Sequence, residues 1–332
     1  MNGIGKLNIA LIGVSHWHVP LYLAAVPRER LHITAVSDPD AKVSERVASE
    51  LSCRAYIDPE TLLDREKPDF VFAFAPHRDM PALAKLIISR KIPFTIEKPL
   101  GLCIQDVLDV QREAEKAGVF CAIPFIWRYS ALIRELRERI DPADVLHMSF
   151  KFIAGPPSRY IVPSPWMLKS ETAGSGCMTN LGVHFIDLAL LLTRSEGGDV
   201  LGSAFHYAAG YDVEDYASAL VRLSSGASLS IETGYAYPMD GENKRDNRWN
   251  FVTKKGYYTM GVGYFETREF GKPAKKVLMD TDSDVYYADF VRDSLVEYTG
   301  GFRPTAGLPD MARVRRILDA VIKKAGHGAS AG

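Results

Sequence analysis

Short apolar runs recur along the first part of the chain: LNIALIG (7–13), LHITAVS (31–37), DFVFAFA (69–75), PFTIE (93–97) and VFCAIPF (119–125). Each is rich in β-branched or aromatic residues and closes on turn formers, the pattern of strands buried on both faces of a parallel sheet. A weaker strand is expected at CRAY (53–56). Helical periodicity fills the intervals at 17–26, 40–51, 60–66, 79–90 and 104–117, the last stopped by Gly118. Strands alternating with helices predict right-handed crossovers and a doubly wound α/β sheet of the Rossmann kind. Such sheets bind ligands at the carboxyl ends of their strands.

The pattern changes after residue 125. A polar helix, SALIRELRERI (130–140), leads to a strand, VLHMSFKFIAG (145–155). A Pro/Gly/Ser-rich excursion comes next, then an apolar helix around 178–193. The runs SAFHYAAGY, ASALVRLS, ASLSIETGYAY and RWNFVTKKGYYTMGV alternate polar and apolar positions, with a hairpin turn at 254–256. Consecutive strands with tight turns predict a large, mostly antiparallel open sheet. Helical patterns near 284–299 and 308–325 close the chain. The expected domains are 1–125 and 126–332, the C-terminal helix being able to pack back on the first.

Composition narrows the function classes. With 47% hydrophobic and 24% charged residues and a formal net charge of -1, nothing favours nucleic acid or an anionic membrane. The longest apolar stretch, near FIDLALLL, falls short of the ~18 residues of a membrane span. The four scattered cysteines contain no C-x-x-C pair and read as reduced thiols, so a cytoplasmic location is expected.

Candidate chemistry lies at the strand ends. Gly13 closes the first strand before a helical pattern, the context of a dinucleotide-binding loop, although Ser15 and His18 stand where later glycines are usual. The Ser15 hydroxyl and the helix N-terminus can donate to a pyrophosphate. His16 and His18 also suit a metal, but no acidic or cysteine ligand accompanies them, and no metal is expected. Asp38 ends the second strand; a carboxylate there accepts the ribose hydroxyls and repels a 2′-phosphate, while the plainer reading is a helix cap. In PFTIEKPLG a buried strand ends in Glu97, Lys98 and Pro99. Further on, GSGCMTNLGVHFIDLALLL places Asn180 and His184 four residues apart on one helix face, with Asp187 a turn later. A cleft and a core position are equally compatible with that pair.

Taken together, IALIGVSHWH, AVSDPD, FAPHRDMPALAKLIISRKIPFTIEKPLG, FIWRYSALI and GSGCMTNLGVHFIDLALLL resemble the Gfo/Idh/MocA oxidoreductase family over nearly the whole chain. The resemblance implies a nicotinamide cofactor, a sugar, inositol or related polyol substrate, and a homodimer or homotetramer. Lys98 matches the family's cleft lysine, preceded by Glu97 and followed by a cis-proline, and His184 matches its catalytic histidine. The loop with Gly13, Ser15, His16 and Trp17 matches a family variant of the phosphate loop. Ala75, Pro76 and His77 stand where Thr-Pro-Asn is usual, and Asn180 stands where many members have Asp. Arg128, Tyr129, Tyr160, Trp166 and Lys169 are expected to border the substrate. Lys98 would stabilise a developing alkoxide, and His184, beside Asn180, would act as acid–base. Asp38 favours NAD over NADP. Glycoside cleavage by transient oxidation, and a cofactor-binding regulator without catalysis, are the competing functions.

Overall fold

The computed structural model describes residues 6–26, 31–162, 164–238, 244–279 and 282–328. The chain divides into two compact units. One gathers the chain up to Pro124 with Asp284–Met311; the other takes Phe125–Ser283 and the chain from Ala312 onward.

The first unit is built on six parallel strands, β1 (Leu7–Ile12), β2 (Leu31–Ser37), β3 (Arg54–Tyr56), β4 (Phe70–Ala73), β5 (Phe94–Ile96) and β6 (Cys121–Ala122), in the order β3-β2-β1-β4-β5-β6. The strand order, which runs outward one way from β1 to β3 and the other way from β4 to β6, reverses between β1 and β4, so a ligand crevice is expected at their carboxyl ends. The middle strands explain the apolar runs: Ile9, Ala10, Leu11, Phe70, Val71 and Phe72 are fully buried. Each large side chain buried this way stabilises the fold by roughly 1.5–3 kcal/mol. Helices α1 (Val19–Ala25), α2 (Ala41–Leu51), α3 (Pro59–Glu66), α4 (Met80–Ser89) and α5 (Ile104–Ala117) make the crossovers, α5 ending on Gly118 with φ +65°. The expected strand 119–125 is only β6 long, because the chain beyond it turns to pair with the returning segment: Ile123 N–H donates to the Ala306 carbonyl at 3.0 Å.

In the second unit α6 (Ala131–Arg139) leads into β7 (Val145–Ile153), and α7 (Ser170–Ala173) precedes a one-turn π-helix, Met178–Gly182, that continues as α8 (Val183–Thr193). The sheet continues with β8 (Gly198–His206), β9 (Tyr216–Leu223), β10 (Ser228–Gly234), β11 (Asp246–Thr253), β12 (Gly256–Gly261), β13 (Tyr264–Glu269) and β14 (Lys275–Leu278). Its order is β14-β13-β12-β11-β7-β10-β9-β8, antiparallel throughout except for the β7–β10 pair. The 254–256 hairpin joins β11 to β12. One face buries Met148, Phe150, Trp249 and Phe251 against α8, Phe150 and Phe185 stacking at 5.0 Å. The opposite face carries half-buried Ser149, Lys151, Ser218, Ser230 and Glu232.

Two sequence expectations shift here. Ser170–Thr193 is, by length and composition, long and apolar enough to cross a membrane, but most of it is buried inside the protein, as a core helix would be. The segment returning to the first unit is Asp284–Met311, which carries α9 (Tyr286–Thr299) and the start of α10 (Leu308–Gly328). Most of α10, the last helix, belongs to the second unit.

Candidate active site

Four neighbouring strands of the first unit deliver their candidates to one edge. Gly13 follows β1, Asp38 follows β2, Ala75-Pro76-His77 follows β4, and Glu97-Lys98 follows β5. Gly13 has φ +81°, and a Cβ there would lie 2.1 Å from the Phe74 carbonyl oxygen, so only glycine lets the loop pass the end of β4. The buried Asp38 carboxylate accepts the Ser15 N–H at 2.7 Å on one oxygen and the Asp40 N–H at 3.1 Å on the other. It is not the helix cap, because Asp40 caps α2. A carboxylate offers about four acceptor sites, so Asp38 keeps capacity for ribose hydroxyls. Ser15 itself is exposed and contributes its backbone rather than a described hydroxyl contact.

The glycine missing at position 18 is replaced by a polar cluster. Glu97 Oε1 takes hydrogen bonds from Tyr22 Oη and His18 Nδ1, both at 3.0 Å. Tyr287 of α9 sets its hydroxyl 3.2 Å from His18 Nε2, and the His18 N–H donates to His16 Nδ1 at 3.2 Å. The imidazoles suggested as metal ligands are thus engaged by protein groups. Burial, then the neighbouring His18, pushes the His16 imidazole well down, with Lys98 and His77 adding to it. Burial lowers His18 as well, against the pull of Glu97. For Glu97, burial works upward but His18, His16 and Lys98 outweigh it, and the carboxylate stays below its usual range. Lys98 is 4% exposed, and burial pushes its ammonium down to about 8 while Glu97 opposes the shift. The Lys98–Pro99 bond is cis.

In the second unit the Asn180 Nδ2 donates to Tyr160 Oη and Tyr235 Oη, each at 3.0 Å. The expectation of a regular helix face shared with His184 needs correction: Asn180 lies in the π-turn and His184 in α8. His184 meets the edge of Phe125, ring centroids 6.2 Å apart. Arg128, expected to border the substrate, forks onto Asp187, its Nε 2.9 Å from Oδ2 and its Nη2 2.5 Å from Oδ1. Tyr160 is buried under the Arg159 guanidinium, 4.7 Å from the ring centroid, so its hydroxyl rather than its ring face joins the cluster. Tyr129 is buried and its carbonyl accepts from Arg134. Trp166 is half-buried on a 3₁₀ turn (Pro165–Leu168), and the exposed Lys169 comes directly after that turn.

Sequence reading missed Tyr22, Tyr235, Phe125 and Tyr287. Each comes from an element remote in sequence from its partner, and an aromatic in an apolar run carries no mark of a polar contact.

Comparison with known proteins adds to this geometry. Residues 7–125 match the profile of the oxidoreductase family's NAD-binding Rossmann fold, and residues 133–259 match the GFO/IDH/MocA C-terminal domain. A scyllo-inositol 2-dehydrogenase (NAD(+)) of Bacillus subtilis is 26% identical over 251 residues, 71% of this chain and 66% of that protein. A UDP-N-acetylglucosamine 3-dehydrogenase of Acidithiobacillus ferrooxidans is 28% identical over 229 residues, 68% of this chain and 66% of that protein. The crystal structure of GenD2 from gentamicin A biosynthesis in complex with NAD superposes with a TM-score of 0.83 at 19% identity, covering 99% of this chain and 96% of that one.

Proposed function

The chain belongs to the Gfo/Idh/MocA oxidoreductase family, and on that footing we propose that it is an NAD-dependent dehydrogenase of a sugar, inositol or related polyol, acting on a CH–OH group. The observation that carries this reading is Lys98: a lysine buried at the end of β5, on a turn whose carboxylate is itself pinned by Tyr22 and His18. A surface lysine needs no such support.

The residues present fit the cofactor. Gly13 leaves room for close backbone approach, and Asp38 is held by two N–H groups in a position to accept ribose hydroxyls. When bound, NAD supplies the hydride acceptor. Ser15, His16, Trp17, Ala75, Pro76 and His77 would complete its seat. Lys98, as ammonium, stabilises the negative charge developing on the substrate oxygen. His184 takes the hydroxyl proton, and Asn180 orients its surroundings through the two phenols. Location in the cytoplasm and assembly as a homodimer or homotetramer belong to the same proposal.

The test is a panel of inositols, sugars and nucleotide sugars followed at the nicotinamide absorbance, beside binding titrations of NAD and NADP. Turnover with NAD and weaker binding of NADP are expected. NAD binding without turnover of any compound would leave a cofactor-binding regulator, and equal or tighter NADP binding would remove the role of Asp38.

A further inference from the structure

The turn that delivers Asn180 has an unusual anchor. Glu214, only 1% exposed, stands just before β9 and reaches back to the start of the π-helix. Its Oε2 accepts the Ser175 hydroxyl at 2.8 Å and the Gly176 N–H at 2.5 Å, and its Oε1 accepts the Met178 N–H at 2.9 Å. Its backbone carbonyl takes the Cys177 N–H at 3.1 Å. The contact is close: a Cβ on Gly176 would fall 2.0 Å from the Glu214 carbonyl oxygen. Cys177, at the cap position, supplies no side-chain cap of its own. A carboxylate remote in sequence therefore does what a local Ser or Asp does at most helix starts.

A π-turn is rarer and less favourable than the α-helix it interrupts, and it persists where surrounding structure imposes it. Relaxing Met178–Gly182 to α-geometry would shift the register by one residue, a rotation of about 100° between the segment leading into the turn and the helix leaving it. Asn180 would then leave Tyr160 and Tyr235 or change its relation to His184. Glu214 grips one end of the turn, and the two phenols grip its middle. Gly182 is also close-packed, since a Cβ there would meet Met178 Sδ at 2.4 Å.

We infer that Glu214 is a positioning residue, holding the π-register and through it the placement of Asn180 relative to His184. Stability alone is a poor reason for this group: burial pushes the carboxyl upward, and its hydrogen bonds only partly offset that. A buried charge is more readily understood as fixing one geometry among several. The inference rests on the reading of Asn180 and His184 as part of the dehydrogenase machinery.

Glu214→Gln tests it. Glutamine has the same shape but one acceptor oxygen, and its NH₂ must face either Met178 N–H or Gly176 N–H. The full-length variant should fold and bind NAD like the parent, with KM little changed and kcat reduced on the order of 10²-fold, as for a displaced catalytic group. Histidine NMR signals, assigned with His184→Asn, should show His184 shifted while those of His16 and His18 stay in place. Unchanged kcat and unchanged His184 signals would overturn the inference, as would parallel losses of kcat, NAD affinity and thermal stability. If Glu214→Gln does not fold, Ser175→Ala removes one donor and should move His184 the same way by less; no movement overturns it. A parent without turnover on any polyol defeats the dehydrogenase reading, and the NMR comparison, needing no turnover, still decides the role of Glu214.

Discussion

The two units surround their candidate residues with different polar groups. At the strand ends of the first, charge is concentrated: Glu97 and Lys98 are adjacent, both nearly inaccessible, with three histidines in the same electrostatic neighbourhood. In the second, Asn180 itself is an amide between two phenols; the buried carboxylate of Glu214 holds only the start of its turn, and the Arg128–Asp187 pair is set one helical turn past His184. The difference shows in how each would respond to change. Charged clusters shift with pH and with the loss of a counter-charge, whereas a neutral clamp depends on shape and on the direction of its hydrogen bonds.

The largest effect is expected in the second unit. His184→Ala should lower kcat by roughly 10²–10⁴-fold, the range for a lost acid–base, while leaving NAD affinity intact. Full activity with an unaltered pH profile would make His184 a packing residue. Arg128→Met leaves Asp187 buried without its partner and should cost about 3–5 kcal/mol in chemical denaturation; adding Asp187→Leu should recover most of that. If the single variant is as stable as the parent, Asp187 does not depend on Arg128 for its burial.

In the first unit, Lys98→Met should lower kcat by about 10²–10³-fold, as for deletion of an oxyanion donor. The same lysine sets a pH dependence. Its ammonium is lost as pH rises through about 8, so turnover should fall there in the parent. The ordinary lysine value is 10.5, so between the two the unfolded chain binds more protons than the folded one, and stability rises with pH in that window. Lys98→Met should abolish this rise in thermal unfolding. A parent whose stability is flat from pH 8 to pH 10 would contradict the depressed ammonium.

Two smaller changes sharpen the contrast. Asn180→Asp turns a donor into an acceptor, so both phenols must reverse their protons toward it. The added charge favours imidazolium nearby, and the acidic limb of the pH–rate profile should move to higher pH. Tyr287→Phe removes one hydrogen bond from His18, worth about 0.5–1.5 kcal/mol, and should weaken NAD binding by no more than that. An effect on kcat alone would place Tyr287 outside the cofactor seat.

Much of this is legible in the chain itself, for physical reasons. Parallel strands buried on both faces are continuous apolar runs, so β1, β2, β4 and β5 and the residues closing them stand out. Gly13 and Asp38 can be placed from those ends alone. The π-turn cannot, because a period of 3.6 residues does not hold through that segment. Strands β13 and β14 escape the pattern, their alternation being masked by charged residues such as Lys275 and Lys276. Glu214 and Tyr235 owe their roles to partners 36 or more residues away. Arg128 carries a partner that nothing in the sequence marks: Asp187, 59 residues away, pairs with its guanidinium.

The return of Asp284–Met311 to the first unit has a consequence for biosynthesis. A ribosome releases residues up to 124 long before it makes Tyr287 and Phe290, which pack on Tyr22 at ring-centroid distances of 5.3 Å and 5.8 Å. Until then the nascent nucleotide-binding half exposes the aromatic face of α1 and lacks the hydroxyl that steadies His18. Vectorial synthesis therefore cannot finish the halves in order: the second must be almost fully extruded before the first is complete. A fragment ending near residue 125 would be an unfinished domain, prone to aggregate through that uncovered face and poor at holding its cofactor.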